Sequence, residues 1–320
     1  KKNSPIKMWL SLLLAFALSS VVCLTGCSPA VEQELKVGTN VWLGYEPGYI
    51  AEAEGLYAST RVSMRQFSSA TEVMRAFRNK LIDVAALTMD EALQLAQYDE
   101  DVAIILVADI SYGADVIMAR PEIESVSDLA GKRVAVEGTA LGAFVIARAM
   151  EKHGVDPEAV DVVAFTVDES LLAYNNNQID AVVTFEPYRT KLLRAGAIEI
   201  FNSKQMPNEI VDVLVSRKST IQAQAASLRG FLQGWLDAVG LIHHAPQKAN
   251  PIIARRLEIS LEEATQAYEG LVLPDLAANQ SLLAGPNATL IPTATALNNL
   301  LLDKGLLEKA VAVEQLFSEE

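Results

Sequence analysis

From Leu35 onward, short apolar runs alternate with segments whose apolar residues recur every three or four positions. The runs 35–42, 60–67 and 82–88 are bounded by turn residues, which is typical of buried or half-buried strands. Each run is followed by a segment of helical period, and the first of these ends at Gly55. The order strand-helix-strand-helix-strand-helix predicts a mainly parallel sheet flanked by helices.

The same order of elements occurs a second time. Strands predicted at 132–138, 159–167 and 179–185 again alternate with helical segments. Val37 and Ile82 lie 45 positions apart, and so do Val134 and Ile179. Equal order and equal spacing predict two similar α/β lobes rather than one continuous sheet.

Two segments, 108–132 and 208–218, connect the predicted lobes, and the second of them is predicted to be a strand. We place lobe one at 35–115 and 213–320, and lobe two at 116–212. After the second segment the pattern predicts helices only, and these are expected to pack on lobe one. Two lobes joined by two crossings form a cleft that opens and closes about a hinge.

The first 26 residues have the pattern of an export signal. Three lysines precede an uncharged apolar stretch at 8–24, and the sequence Leu-Thr-Gly-Cys ends at Cys27. That sequence resembles the lipobox of bacterial lipoproteins, in which the signal is removed before the cysteine and the cysteine receives a lipid. A transmembrane anchor with an incidental cysteine is the alternative. We expect a signal peptide at 1–26, a linker at 27–34, and an exported protein held on the membrane by a lipid on Cys27.

Composition narrows the class of protein. Loss of the three signal lysines lowers the formal net charge from −14 to −17, which disfavours nucleic acid and anionic lipid headgroups as partners. The two cysteines are Cys23 and Cys27, so no disulfide is expected after processing. The sequence has no HExxH, GxSxG or phosphate-loop motif, and His243 and His244 are adjacent rather than four apart. We therefore predict no metal, no cofactor and no catalytic activity, and we also expect a monomer.

Large and charged side chains follow several predicted strands, where ligands bind in open parallel sheets. Trp42 and Tyr45 offer flat apolar faces, and carboxylates near them offer partners for a cation or a hydrogen-bond donor. Free backbone N–H groups at the helix start after Gly138 suit an oxyanion. The residues predicted to contact a solute are Trp42, Tyr45, Glu46, Met89, Asp90, Ser111, Tyr112, Gly138, Thr139, Phe185, Glu186 and Asp212.

Several of these residues also have structural explanations. Trp42 is alternatively a packing aromatic, and Thr139 is alternatively an N-cap. Glu46 and Glu186 each precede a proline at a helix start, where a carboxylate balances the helix dipole. Thr88 and Glu91 form a Thr-x-x-Glu capping box and are expected to be structural.

The whole pattern resembles the periplasmic solute-binding proteins of ABC importers, in the nitrate/sulfonate/taurine branch. The resemblance covers about residues 35–307 and depends on the order of weak motifs such as "DLAGKRVAVEGTALGAF", "IDAVVTFEPY" and "IVDVLVSRK". It implies a two-lobed type II binding-protein fold, a small-molecule ligand trapped by hinge closure, and an ABC permease as partner. It also implies that the crossing at Asp212 faces the ligand.

The ligand and the role stay open at this point. The resemblance favours an anion, whereas Glu46, Asp90, Glu186 and Asp212 favour a positive charge. A taurine-like zwitterion satisfies both and is our first expectation, and a cationic amine is the second. A sensor that presents its closed form to a membrane receptor is an alternative to transport. An enzyme of the related pyrimidine-synthase type is disfavoured, because that chemistry depends on a cysteine-rich motif.

Overall fold

A computed structural model describes residues 34–57, 60–138, 140–284 and 288–317. The predicted signal peptide, Cys27 and Thr139 lie outside the described residues. None of the helices in the described ranges combines the length and the apolar character needed to cross a bilayer.

One sheet has six strands in the order β11-β4-β10-β3-β1-β2. Strands β1, β2, β3 and β4 run in one direction, whereas β10 pairs antiparallel with both β3 and β4. The strands of this sheet are β1 (Leu35–Thr39), β2 (Val62–Gln66), β3 (Val84–Thr88), β4 (Val102–Ser111), β10 (Val211–Arg217) and β11 (Leu271–Val272).

A second sheet has five strands in the order β7-β6-β8-β5-β9. Here β6, β7, β8 and β9 run in one direction, and β5 is antiparallel to its neighbours β8 and β9. The strands of this sheet are β5 (Val116–Ala119), β6 (Arg133–Val136), β7 (Asp161–Ala164), β8 (Ala181–Thr184) and β9 (Ile198–Asn202).

The two sheets share one topology, which confirms the two-lobed α/β fold predicted from the repeat. The order β2-β1-β3-β10-β4 corresponds to β7-β6-β8-β5-β9, with the antiparallel strand in the fourth place each time. The chain leaves the first sheet after Ser111 and returns to it at Val211. The lobe boundaries themselves, at 115/116 and 212/213, stay predictions.

Helices cover the sheets. Ser69 and Ser260 each accept a hydrogen bond from a backbone N–H in the first turn of the helix that follows, as N-caps do. The helices are α1 (Glu46–Ala53), α2 (Ala70–Arg78), α3 (Met89–Ala96), α4 (Ala140–His153), α5 (Val167–Asn175), α6 (Tyr188–Arg194), α7 (Lys218–Ala223), α8 (Ala225–His244), α9 (Pro246–Leu257), α10 (Leu261–Ala267), α11 (Leu276–Leu283) and α12 (Leu290–Asp303).

The structure corrects three details of the sequence prediction. The segment 108–132, predicted as a connection, contains the end of β4 and all of β5. The C-terminal region is not purely helical, because Leu271 and Val272 pair with β4 at the sheet edge. The first strand ends at Thr39, so Trp42 lies in the loop that follows and not in the strand.

Candidate functional site

A cavity lies at the carboxyl ends of the strands, between the two sheets. Residues after β1 form one side of it, and residues after β6 and β8 form the other. This is the position at which open parallel sheets bind ligands. The described lining residues are Asn40, Trp42, Tyr45, Thr88, Glu91, Asp115, Glu137, Leu141, Phe185 and Asp212.

Trp42 and Phe185 contact each other across the cavity. Their ring centroids are 5.1 Å apart and their planes are nearly perpendicular, at 88°. This edge-to-face arrangement is the one that aromatic quadrupoles favour. Because Trp42 follows β1 and Phe185 follows β8, the contact joins the two sheets directly.

The loop after β1 fixes two cavity side chains by hydrogen bonds. Trp42 Nε1 donates to Asp109 Oδ2 at 2.9 Å, and the Tyr45 hydroxyl donates to Asp212 Oδ1 at 2.5 Å. Gly44 is required between them, since the Asp109 carboxylate occupies the place where a Cβ at position 44 would lie. The hydrogen bonds of Trp42 and Tyr45 therefore orient one acid on β4 and one acid on β10.

Three polar side chains form a row across neighbouring strands. In the ladder, Asp212 of β10 is opposite Thr88 of β3 on one side and opposite Asp109 of β4 on the other. Residues directly opposite each other in an antiparallel pair share a face, and like charges in such positions are destabilising. Asp109 and Asp212 are thus a buried pair of acids that needs a proton or a positive charge.

Carboxylate oxygens in and beside the cavity lack partners within the described part of the chain. Asp90, Asp109, Asp115 and Asp212 are at most 3% exposed, and one Oδ atom of each accepts no hydrogen bond there. A buried polar atom without a partner costs about 1–3 kcal/mol. A proton shared by Asp109 and Asp212 can satisfy two of these atoms, and the oxygens of Asp90 and Asp115 stay without a described donor.

Burial shifts the protonation of these acids. Desolvation raises the pKa of Asp115 to about 7, with a further contribution from Asp90, against a hydrogen bond from Ser111 that lowers it. Burial, followed by the nearby charge of Asp109, raises the pKa of Asp212 well above its ordinary range. The site therefore holds protons near neutral pH that a bound cation would displace.

Glu46, which was predicted to contact a solute, is not among the described lining residues of the cavity. Its carboxylate accepts a hydrogen bond from Arg256 Nε at 2.8 Å, and the Arg256 guanidinium lies 3.3 Å from the ring centroid of Tyr49. Burial raises the pKa of Glu46 to about 7, although Arg256 opposes that shift. Glu46 thus attaches α9 to the start of α1.

Glu186 also has a structural partner in place of the predicted solute. It accepts hydrogen bonds from Arg189 Nη1 at 3.3 Å and from the backbone N–H of Thr190 at 3.2 Å. Both donors belong to the first turn of α6. Glu186 therefore lies at the start of this helix, where a carboxylate balances the helix dipole. Arg189 in turn binds Glu199 at 2.9 Å.

The other predicted contacts lie beside the cavity rather than on it. Met89 packs in the hydrophobic core, and Ser111 bonds to the Ser203 hydroxyl at 2.7 Å. Tyr112 is 49% exposed, and Gly138 is also exposed. Asp90 is buried behind the lining, where its charge acts on Asp115. Trp42, Tyr45, Phe185 and Asp212 are the predicted residues that line the cavity.

Several cavity residues were missed, although the sequence contains a signal for some of them. Asp109 is an acid within the apolar run of β4, and Asp115 lies six positions later. An acid inside a buried strand is unusual unless it has a function. Thr88 and Glu91 form the predicted cap, with Thr88 N–H donating to Glu91 Oε2 at 3.0 Å, and also line the cavity.

Glu137 forms a second contact between the two sheets. Its Oε1 accepts a hydrogen bond from the backbone N–H of Ala70, at the first turn of α2, at 3.2 Å. Glu137 follows β6, whereas α2 leads into β3 of the other sheet. Burial raises the pKa of Glu137 to about 7. The carboxylate is well placed for the positive end of the helix dipole.

Within the described ranges, no group of three His, Cys, Asp or Glu side chains has the geometry of a metal site.

Comparisons with known proteins agree with this architecture. The model of the NMT1-like family matches residues 28–257. The taurine-binding periplasmic protein of Escherichia coli (strain K12) is 23% identical over 222 residues, which are 66% of this chain and 68% of that protein.

Solved structures share the fold at low sequence identity. The alkanesulfonate-binding protein SsuA from Xanthomonas axonopodis pv. citri, bound to MOPS, superposes with a TM-score of 0.77 at 17% identity, over 90% of this chain and 99% of that one. The desulfurization enzyme DSZB superposes with a TM-score of 0.65 at 13% identity, over 90% and 97%. Because an enzyme shares the fold, the fold alone does not distinguish binding from catalysis.

Proposed function

The chain belongs to the NMT1-like family, and we propose that it is the solute-binding subunit of an ABC importer. It captures a small polar organic solute in the cavity between its two sheets. The observation that carries this proposal is the contact between Trp42 and Phe185, which closes the cavity from both lobes at once. The relatives favour a sulfonate or a taurine-like zwitterion as solute, and the acids of the cavity favour an amine.

Closure follows from contacts that the solute makes with both lobes. A ligand shifts the balance between open and closed forms only through differences in its affinity for the two forms. A solute that contacts Asp212 from one lobe and Glu137 from the other, under the joined rings of Trp42 and Phe185, gains its full set of contacts in the closed form alone. The closed form is then presented to a membrane permease.

The place of action is outside the cytoplasm. The E. coli relative is a periplasmic protein, and the first 27 residues have the pattern of a lipoprotein signal. We propose that export is followed by lipid attachment at Cys27. The protein then works as a tethered monomer close to its permease.

Thermal-shift measurements on the purified protein test this proposal. A panel of sulfonates, amino acids, amines and inorganic oxyanions should contain compounds that raise the melting temperature, because a ligand at 100 times its Kd stabilises a protein by about 2.7 kcal/mol. Trp42→Ala and Phe185→Ala should both lose this response. Tyr98→Ala, which removes an exposed aromatic, should keep it.

Two outcomes would contradict the proposal. One is unchanged solute affinity in both cavity variants, which would mean that the solute binds elsewhere. The other is turnover of a bound compound by the purified protein, detected by mass spectrometry, which would make the chain an enzyme.

A further inference from the structure

The cavity has a strongly one-sided charge. Its described lining contains the carboxyl groups of Glu91, Asp115, Glu137 and Asp212, and none of its described residues is a lysine or an arginine. Asp109 adds a further acid directly behind Trp42 and Asp212. By contrast, Glu46 and Glu186, which were predicted to contact the solute, lie outside the described lining and each have an arginine partner.

Unpartnered atoms give an independent sign of a ligand. Asp115 and Asp212 line the cavity, are 3% and 2% exposed, and each has one Oδ atom without a hydrogen-bond partner among the described residues. Asp109, which is fully buried, has another, and a proton shared with the neighbouring Asp212 can also satisfy that atom. In their ionised form these oxygens only accept hydrogen bonds, so a ligand that binds the ionised acids must supply the donor.

The type of cation follows from the geometry. The acids of the described chain do not form a metal-binding group. The cavity is closed by the rings of Trp42 and Phe185 and by Leu141, which suit a carbon skeleton better than a hydrated ion. Aromatic rings also attract organic ammonium groups through the cation–π interaction.

A strong acid group on the solute would be opposed in this cavity. A sulfonate is ionised at every physiological pH and would meet several acid groups, with no described lysine or arginine in the lining to neutralise it. The Tyr45 hydroxyl already donates its hydrogen bond to Asp212. Among the described lining residues, the side chains left to donate to a sulfonate are those of Asn40 and Thr88. The acidic lining of the cavity therefore disfavours the sulfonate solutes that the names of its relatives mention.

We propose that the solute is an organic cation, a protonated amine without a sulfonate or carboxylate group, held by Asp115 and Asp212 and backed by Asp109. This inference rests on the proposed function, because it names the class of solute for the same cavity. It replaces the taurine-like zwitterion as the first candidate. The ammonium donates to the free Oδ atoms, and its carbon chain contacts Trp42 and Phe185.

Calorimetry with matched probes tests the inference. Each set consists of an amine, the corresponding aminosulfonate and the corresponding sulfonate, such as ethylamine, taurine and ethanesulfonate, with butane-1,4-diamine and 2-phenylethylamine to cover larger amines. We expect amines to bind at least ten times more tightly than the matched aminosulfonates, and the amine-free sulfonates not to bind. Calcium and zinc chlorides serve as inorganic cation probes and should not bind.

Substitutions locate the interaction. Asp212→Asn and Asp115→Asn should each weaken binding of the best amine by about 30-fold, as expected when one partner of a buried charged hydrogen bond is removed. Asp237→Asn, the same change on the exposed face of α8, is the matched control and should leave affinity unchanged. Melting curves of the ligand-free variants show that loss of binding is not loss of folding.

The outcomes separate this inference from the function on which it rests. Taurine or ethanesulfonate binding as tightly as the matched amine would overturn the inference and leave the solute-binding function intact. Tight calcium or zinc binding that requires Asp115 and Asp212 would also overturn it. Failure of every organic and inorganic probe to bind would count against both.

Discussion

Two sets of buried carboxylates occupy similar places in this protein and have opposite surroundings. Glu46 and Glu186 follow strands of the two sheets, precede prolines, and bind Arg256 and Arg189 respectively. Asp115 and Asp212 also lie at strand ends but have no arginine or lysine partner among the described residues. The paired acids are held by their arginines, and the acids without a basic partner line the cavity for which we propose a solute.

The comparison also concerns free energy. A buried acid with its arginine in place loses stability when the arginine is removed, because an uncompensated group stays behind. A buried acid without a partner lowers the stability of the ligand-free protein at any pH where it is ionised. Substitutions in the two sets should therefore change stability in opposite directions.

The largest effect is expected at the paired set. Arg256→Met should lower the free energy of unfolding by about 2–3 kcal/mol, since it leaves Glu46, 2% exposed, without its partner and removes the contact with Tyr49. Urea denaturation measures this change. The double variant Glu46→Met/Arg256→Met should recover most of the loss, because apolar replacement of a buried pair is often neutral. A double variant less stable than Arg256→Met would contradict the assignment of Glu46 to the scaffold.

The unpaired set should respond with the opposite sign and with a dependence on pH. Burial raises the pKa of Asp115 from 3.8 to about 7, so the folded state binds a proton that the unfolded state has lost. That stabilisation is complete below pH 4 and disappears as the pH rises through 7. Asp115→Asn should therefore stabilise the ligand-free protein by about 2 kcal/mol at pH 8, by about a third of that at pH 5, and hardly at all below pH 4.

Melting curves from pH 5 to pH 8 measure that difference. The wild-type melting temperature should fall over this range, and the fall should be smaller in Asp115→Asn. Asp237→Asn, on the surface, should follow the wild type at every pH. A stability of Asp115→Asn that is below the wild type at pH 8 would mean that Asp115 has a partner in the ligand-free protein.

Aromatic pairs allow a finer version of the comparison. Trp42 and Phe185 meet across the cavity at 5.1 Å, whereas Phe231 and Trp235 form a similar edge-to-face pair at 5.9 Å within the scaffold helix α8. An aromatic pair contributes about 0.5–1.5 kcal/mol beyond its buried area. Phe185→Leu should therefore weaken solute binding about 2- to 10-fold with little change in stability.

Phe231→Leu is the matched control for that measurement. It should lower the melting temperature, because Phe231 is fully buried, and leave solute affinity unchanged. Fluorescence provides the readout, since Trp42 is in the cavity and Trp235 is in the scaffold. A solute-dependent signal that persists in Trp42→Phe and disappears in Trp235→Phe would place the solute away from the cavity.

The sequence was sufficient for the fold because the fold depends on local patterns. The strand and helix periods of the first three β-α units, and their recurrence 97 positions later from Val37 to Val134, specify two similar sheets. The strands that were missed, β4, β5, β9 and β11, lie partly or wholly outside these repeats. They take their places from long-range antiparallel pairing, which no local period encodes.

The site was only partly predictable for the same reason. Aromatics at strand ends, Trp42 and Phe185, could be recognised from the chain alone. The role of Glu46 could not, because it is decided by Arg256, which is 210 residues away. Asp109 becomes a neighbour of Asp212 only through the register of β4 and β10. Charge partners are a property of the tertiary structure, and the sequence gives only the list of acids.

The smallest effect is expected for an ion pair that joins the lobes outside the cavity. Arg194 of α6 contacts Glu263 of α10, and the Arg194 side chain is 54% exposed. Exposed pairs contribute less than about 1 kcal/mol and weaken with salt. Because this pair forms only when the lobes are together, Arg194→Ala should weaken solute binding two- to three-fold at low ionic strength. The difference from the wild type should vanish at 0.5 M NaCl.

Arg75→Ala is the appropriate comparison for this last prediction. Arg75 and Glu72 form an exposed pair of similar geometry, at 2.8 Å, but both belong to α2 in one lobe. Its removal cannot change the balance between open and closed forms, so solute affinity should stay the same at every salt concentration. Equal salt dependence of affinity in both variants would show that the Arg194–Glu263 pair does not take part in closure.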